Sequence, residues 1–168
     1  MRRAVRAAGL AFLFWSIPAF AQTTPTLLQK YNDWTAYGTS GEPKICFAVA
    51  QPQSSVPKGA KRGPIFFYIS RYPSDRVLNE ISLKMGYPFS EGTTVTVSIG
   101  SEKFELFTKE EGAFVELPEK EAALVEAMKK GSSMKVEGTS VRGTKTTDTY
   151  SLSGSTDALN RIASECGG

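Results

Sequence analysis

The sequence predicts a mainly β domain, a sandwich or barrel carrying two short helices, one mid-chain and one C-terminal. Three observations lead there. Short runs rich in Val, Ile, Phe, Tyr and Thr recur along the chain, separated by Gly, Pro and Asp. One of them, Thr94-Val-Thr-Val-Ser-Ile99, alternates with period 2, as a strand with one buried face does. Only two stretches combine helical spacing with helix start and stop residues.

The chain begins with Arg2, Arg3 and Arg6, an apolar run from Ala7 to Ile17, and Ala19-Phe20-Ala21. A positive start, a short apolar core and an Ala-x-Ala site form a secretory signal peptide, residues 1–21. Residues 22–30 are polar, Thr-rich and interrupted by Pro25, which predicts a flexible N-terminal arm. A single domain is expected over residues 31–168, with Tyr31, Trp34 and Tyr37 near its start.

Strands are expected at 44–50, 65–71, 79–85, 94–99, 103–108, 113–117, 133–140 and 146–153. Residues 51–64 hold three prolines and two glycines, so they read as a long loop. The first helix is expected over 118–130. Pro118 opens it, Glu119 and Glu121 fill its first turn, Lys129 and Lys130 its last, and Gly131 follows; the charges complement the helix dipole. The second begins near Ser155-Thr156-Asp157, residue types that cap well. Leu159, Ile162, Ala163 and Cys166 make one apolar stripe on it.

The chain has 20 Lys and Arg, 17 Asp and Glu, and no His. Removing the signal peptide takes three arginines away and leaves the two signs equal, which excludes a nucleic-acid footprint made by bulk charge. The lack of His excludes Ser-His-Asp and Cys-His nucleophile systems and His-containing metal sites. No phosphate-loop, dinucleotide or calcium-loop spacing occurs, so no cofactor and no metal are expected. No segment after the leader has the roughly 20 apolar residues that a membrane helix needs.

Cys46 and Cys166 are the only cysteines. In an exported chain an even count predicts a disulfide. Closing so long a loop is worth about 4–5 kcal/mol by chain entropy.

Charge is unevenly spread along the chain. Residues 44–76 hold six basic residues and one acid, whereas 104–126 hold seven acids and two basic residues. If folding keeps these segments apart, the domain has a basic end and an acidic side.

Several phrases together resemble one family. They are Trp34, Lys44-Ile45-Cys46, Gln51-Pro52, Arg62-Gly63-Pro64 and Gly86-Tyr87-Pro88-Phe89. Further on come Val95 to Gly100, Gly138 to Thr144, Asp148 to Gly154, Ala158 and Cys166. The chain is similar along nearly its whole exported length to the invasion-associated locus B (IalB) family of bacterial proteins. The resemblance implies an immunoglobulin-like β-sandwich, exported to the periplasm or outer membrane of a Gram-negative bacterium, with some members assisting entry into host cells. It implies no catalytic residue.

Candidate binding residues fall in three places. Lys58, Lys61 and Arg62 lie in the long loop, without an acid, where they suit either lipopolysaccharide phosphates and acidic partners or simple solvation. Tyr87 and Phe89 sit on a turn, either as a sticky tip or as a plug at the sandwich end. Arg142, Asp148 and Tyr150, with Lys145, form either a polar cleft around a hairpin or a structural unit in which Asp148 pairs with Arg142 and Tyr150 and Leu152 face the core.

Two classes of function remain. One is a non-enzymatic binding module of the envelope, with a protein, lipid or glycan partner, or a structural envelope protein without a discrete ligand. The other is a carboxylate-dependent cell-wall hydrolase, which needs two acids flanking a cleft. No acid spacing singles out such a pair. The oligomeric state is not encoded in any of these patterns.

Overall fold

Residues 24–167 are described by the computed structural model. The expected signal peptide lies outside the described residues. The strands are β1 (Pro25–Tyr31), β2 (Trp34–Thr39), β3 (Cys46–Ala50), β4 (Ser54–Val56), β5 (Phe66–Tyr72), β6 (Val77–Lys84), β7 (Thr94–Ile99), β8 (Glu102–Lys109), β9 (Gly112–Phe114), β10 (Ser133–Thr139) and β11 (Lys145–Ser151). The helices are α1 (Pro118–Lys130) and α2 (Ser155–Glu165). The fold is mainly β with two helices, as expected.

All pairings are antiparallel, and the strands make one ladder in the order β1-β2-β3-β5-β6-β9-β8-β7-β10-β11-β4. The ladder doubles back on itself. Phe67 of β5 meets Tyr150 of β11 at 5.9 Å between ring centroids, although five strands separate them in the ladder. Trp34 packs edge-on against Phe67, and its Nε1 donates to the Ser151 carbonyl at 3.0 Å. The inner faces of β2, β3, β5 and β6 thus oppose those of β7, β10 and β11. Between them lie Ala36, Ala48, Ile69, Ile81, Val95, Val97, Met134 and Val136, all buried. Period-2 burial in β7, β10 and β11 produces this: alternate side chains are inside.

α1 covers β6 and α2 covers β1, β2 and β3. Leu124, Val125 and Met128 are the buried face of α1, and Ala158, Leu159 and Ile162 that of α2, with the buried Cys166 directly after its last residue. Cys46 and Cys166 are disulfide-bonded, with their Cα atoms 5.9 Å apart, which ties the end of α2 to β3.

The strands number more than the sequence patterns suggest. Residues 25–31 are the strand β1 and not a flexible arm. β1 is an edge strand, mostly exposed, so it has no apolar alternation to give it away, and Pro25 sits at its first position, where no ladder donor is lost. β2 and β4 were also absent from the expected set; β4 is three residues within the supposed loop, held to β11 through Ser55 opposite Asp148. β9 stops at Phe114 and does not run to Leu117. α2 is preceded by Gly154 in the left-handed conformation, φ 87°, so Ser155 begins the helix without capping it, and its hydroxyl is buried without a partner among the described residues.

Candidate functional site

The candidate residues split into a buried polar core and an exposed rim at one end of the sandwich. Arg62 and Asp148 form the core. The Asp148 side chain is 0% exposed and that of Arg62 6%. Arg62 Nη1 donates to Asp148 Oδ1 at 3.0 Å and Nη2 to Oδ2 at 2.8 Å, a bidentate pair. Nε and Nη2 also donate to the Met85 carbonyl, at 2.9 and 2.7 Å. Ser55 Oγ donates to Asp148 Oδ1 at 2.6 Å. The guanidinium lies 4.9 Å from the Tyr87 ring centroid, within cation–π range. Asp148 therefore pairs with Arg62 and not with Arg142, and Arg62 is not a free loop cation. The cause is β4: pairing of Ser54–Val56 to β11 carries the following segment over the end of the sandwich and drops Arg62 inside.

Tyr87 is buried, and its hydroxyl shares a 2.7 Å hydrogen bond with Thr146 Oγ1. Burial pushes its phenol pKa up, against the pull of Thr146 and Arg62. Phe89 packs edge-on at 5.1 Å and is half-buried, so the Gly86–Phe89 turn is a plug and not an open tip. Glycine is required at its start. Gly86 has φ 70°, and its carbonyl accepts the Gly63 N–H at 2.7 Å, so a side chain there would run into the Gly63 backbone. Gly138 is the matching concession on β10, where an added Cβ would stand 2.8 Å from the Tyr87 hydroxyl. Tyr150 is fully buried, and its hydroxyl has no partner among the described residues. Burial, and then the Asp148 charge, holds its phenol far above the ordinary range.

The rim is different. Lys58, Lys61, Arg142 and Lys145 are exposed, and none has a carboxylate partner among the described residues. Arg142 Nη2 donates to the Lys61 carbonyl at 3.0 Å, and the Val141 N–H to the Pro88 carbonyl at 2.8 Å, which draws the three loops together. Val56 lies opposite Thr147, so the chain leaves β4 toward the start of β11, where Lys145 sits. A small cavity of about 50 Å³ opens between the loops, lined by Lys61, Arg62, Tyr87, Arg142, Ser140 and Thr146 among others.

The expected division into a basic and an acidic segment does not survive folding. Lys44 pairs with Glu165 at 3.1 Å and Arg62 with Asp148, while Arg76 shares a cleft with Glu80 and Glu116. On the acidic side, Lys103 and Lys120 stand with Glu105, and Lys84 and Lys109 with Glu110 and Glu111. Strand pairing between segments far apart in sequence mixes the signs. The basic rim that remains joins Lys58 and Lys61 to Arg142 and Lys145 from another part of the chain.

A second surface carries no sequence signature. A groove of about 520 Å³ runs beside β6, lined by Arg76 to Glu80, Phe107, Phe114 to Glu116, and the first turn of α1. Glu121 Oε1 accepts the Ile81 N–H at 3.1 Å, and Glu80 Oε1 accepts the Tyr72 hydroxyl at 3.3 Å. Burial raises the Glu121 pKa, opposed by that hydrogen bond and reinforced by the Glu80 charge. No run of residues betrays the groove, because it arises where β9 ends.

No helix among the described residues is long and apolar enough to cross a membrane. The fold is similar to that of invasion associated protein B from Bartonella henselae, with a TM-score of 0.60 at 16% identity, over 82% of this chain and 96% of that one. No curated protein matches the chain. The family model described as invasion associated locus B (IalB) protein matches residues 39–163, most of the chain. The chain belongs to the IalB family.

Proposed function

We propose that this protein is a non-enzymatic, exported interaction protein of the cell envelope, in the periplasm or at the outer membrane, and that it meets an anionic partner with its basic rim. One observation carries the reading: Lys58, Lys61, Arg142 and Lys145 are exposed at one end and none of them is in an ion pair among the described residues, while the Arg62–Asp148 pair beneath is engaged in structure. An exposed cluster of unpaired cations on a rigid base attracts phosphate-bearing surfaces by steering and close contact. Of the three acids that line the groove, Glu80 and Glu121 each hold a structural hydrogen bond, which favours binding over acid–base chemistry.

Co-sedimentation with phosphatidylglycerol vesicles tests this. The protein pelleting with anionic vesicles and not with neutral ones, less so at 0.5 M salt, is the expected result. The Lys58→Gln, Lys61→Gln, Arg142→Gln, Lys145→Gln variant should lose most of that binding. Equal binding by the variant would remove the rim from the function.

A further inference from the structure

We propose that the groove beside β6 takes an extended segment of another polypeptide, apolar at alternate positions and basic between them, added to the sheet as a strand. The sheet is incomplete at this place. β6 pairs with β5 along its length, but β9 reaches it only at Ser82–Lys84. β9 likewise meets β8 only at Phe107–Lys109. Among the described residues, 77–81 of β6 thus have a strand on one side and none on the other. The chain that should fill the place, Val115–Leu117, leaves instead to start α1 at Pro118.

The backbone shows what the place is built for. The Ile81 N–H is met by a side-chain carboxylate oxygen of Glu121, a residue of the groove wall, where a continuous sheet would present a strand carbonyl. Five residues of strand span about 13 Å at ~3.3 Å per rise, enough for a short added segment. The walls supply apolar contact. Leu78 is 50% exposed and Phe107 46%, and the Phe107 ring lies against that of Phe114, tilted by 31° with centroids 5.6 Å apart. β6 carries one residue more than β5 between the Tyr72–Val77 and Ser70–Glu80 pairs, a bulge that turns Leu78 outward.

Charge selects the occupant. Glu80, Glu116 and Glu121 line the groove against the single cation Arg76, and none of the three acids is in an ion pair among the described residues. Acids on a strand edge repel acidic and plain apolar edges and admit a basic one. The occupant is therefore a lysine- or arginine-bearing strand, reading the groove through backbone bonds and alternate apolar side chains. This surface is separate from the basic rim, so either is testable without the other.

The test is a titration of the ¹⁵N-labelled, oxidised chain with a capped hexapeptide of alternating valine and lysine. Amide shifts confined to residues 77–81 and 114–122, with slowed hydrogen exchange in β6, are the expected result. The same peptide N-methylated at every second amide keeps its side chains but cannot pair, and should bind about tenfold more weakly or worse. Glu116→Lys, on the groove wall, should weaken the parent peptide similarly. No shift in the groove at millimolar peptide, or equal binding by the N-methylated form, overturns the proposal. So does concentration-dependent broadening at 77–81 without peptide, which would assign the groove to a second copy of the chain.

Discussion

The two ends of this sandwich solve opposite problems. At the Arg62–Asp148 end, charged and aromatic groups are drawn inside and matched, so that a bidentate ion pair, a serine hydroxyl and a backbone carbonyl account for one another. Beside β6, a strand edge and two large apolar side chains stay outside, and one glutamate caps one backbone donor. The residues that looked functional in the sequence are mostly structure. The surface that looks most like an unfinished interaction has no motif at all.

The largest expected effect comes from breaking the closed end. Asp148→Ala leaves the Arg62 guanidinium buried without its counter-charge, which costs about 3–5 kcal/mol. Urea denaturation should show this as a large drop in midpoint with little change in slope. Leu78→Ala and Phe107→Ala at the groove should stay within about 0.5 kcal/mol of the parent, since surface changes away from such networks rarely do more. If Asp148→Ala were as mild as Leu78→Ala, the distinction between the two ends would collapse. Replacing both Arg62 and Asp148 by apolar residues should cost less than Asp148→Ala alone, because no orphan charge remains.

A matched pair of tyrosines sharpens the point inside the closed end. The Tyr87 hydroxyl is bonded to Thr146, whereas that of the fully buried Tyr150 has no partner among the described residues. Tyr87→Phe strands the Thr146 hydroxyl and should cost about 1 kcal/mol. Tyr150→Phe removes a buried hydroxyl that has nothing to lose, so it should be neutral or stabilising. Thermal unfolding of the two variants side by side gives the sign directly. Equal losses would mean that Tyr150 has a hydrogen bond in solution.

Much of the fold was legible because period-2 and helical spacing are set by burial. β7, β10 and β11 bury alternate residues as their sequences indicate, and α1 occupies the expected residues 118–130. The disulfide followed from an even cysteine count in a chain expected to be exported. β1 is an exposed edge, and β4 is too short to show a pattern, yet β4 decides that Arg62 goes inside and meets Asp148, 86 residues away. A cation in a proline-rich loop looks solvated until a three-residue strand folds it under. The groove was hidden for the converse reason: it is made by β9 ending at Phe114, and Ala113 to Leu117 has a composition that would suit a longer strand.

The smallest effect concerns pH and separates an open carboxylate from a paired one. Glu121 sits in the groove with its pKa raised above 4.5, chiefly by burial. Glu165, at the end of α2, has its pKa lowered by hydrogen bonds from Lys44 and Arg161. Their contributions to stability therefore run in opposite directions. A raised carboxyl stabilises the fold when protonated: Glu121's share is complete below about 4.5, its unfolded value, and is lost as pH rises through the folded value. A lowered one stabilises when ionised: Glu165's share is present above 4.5 and is lost as pH falls through its folded value. Glu121→Gln keeps an oxygen for the Ile81 N–H, so the parent's advantage over this variant should shrink between pH 4 and pH 7. The parent's advantage over Glu165→Gln should shrink from pH 5 downward. Denaturation across that range reads both slopes, and a Glu121→Gln difference that grew with pH would mean the carboxylate is stabilised by a positive charge brought into the groove.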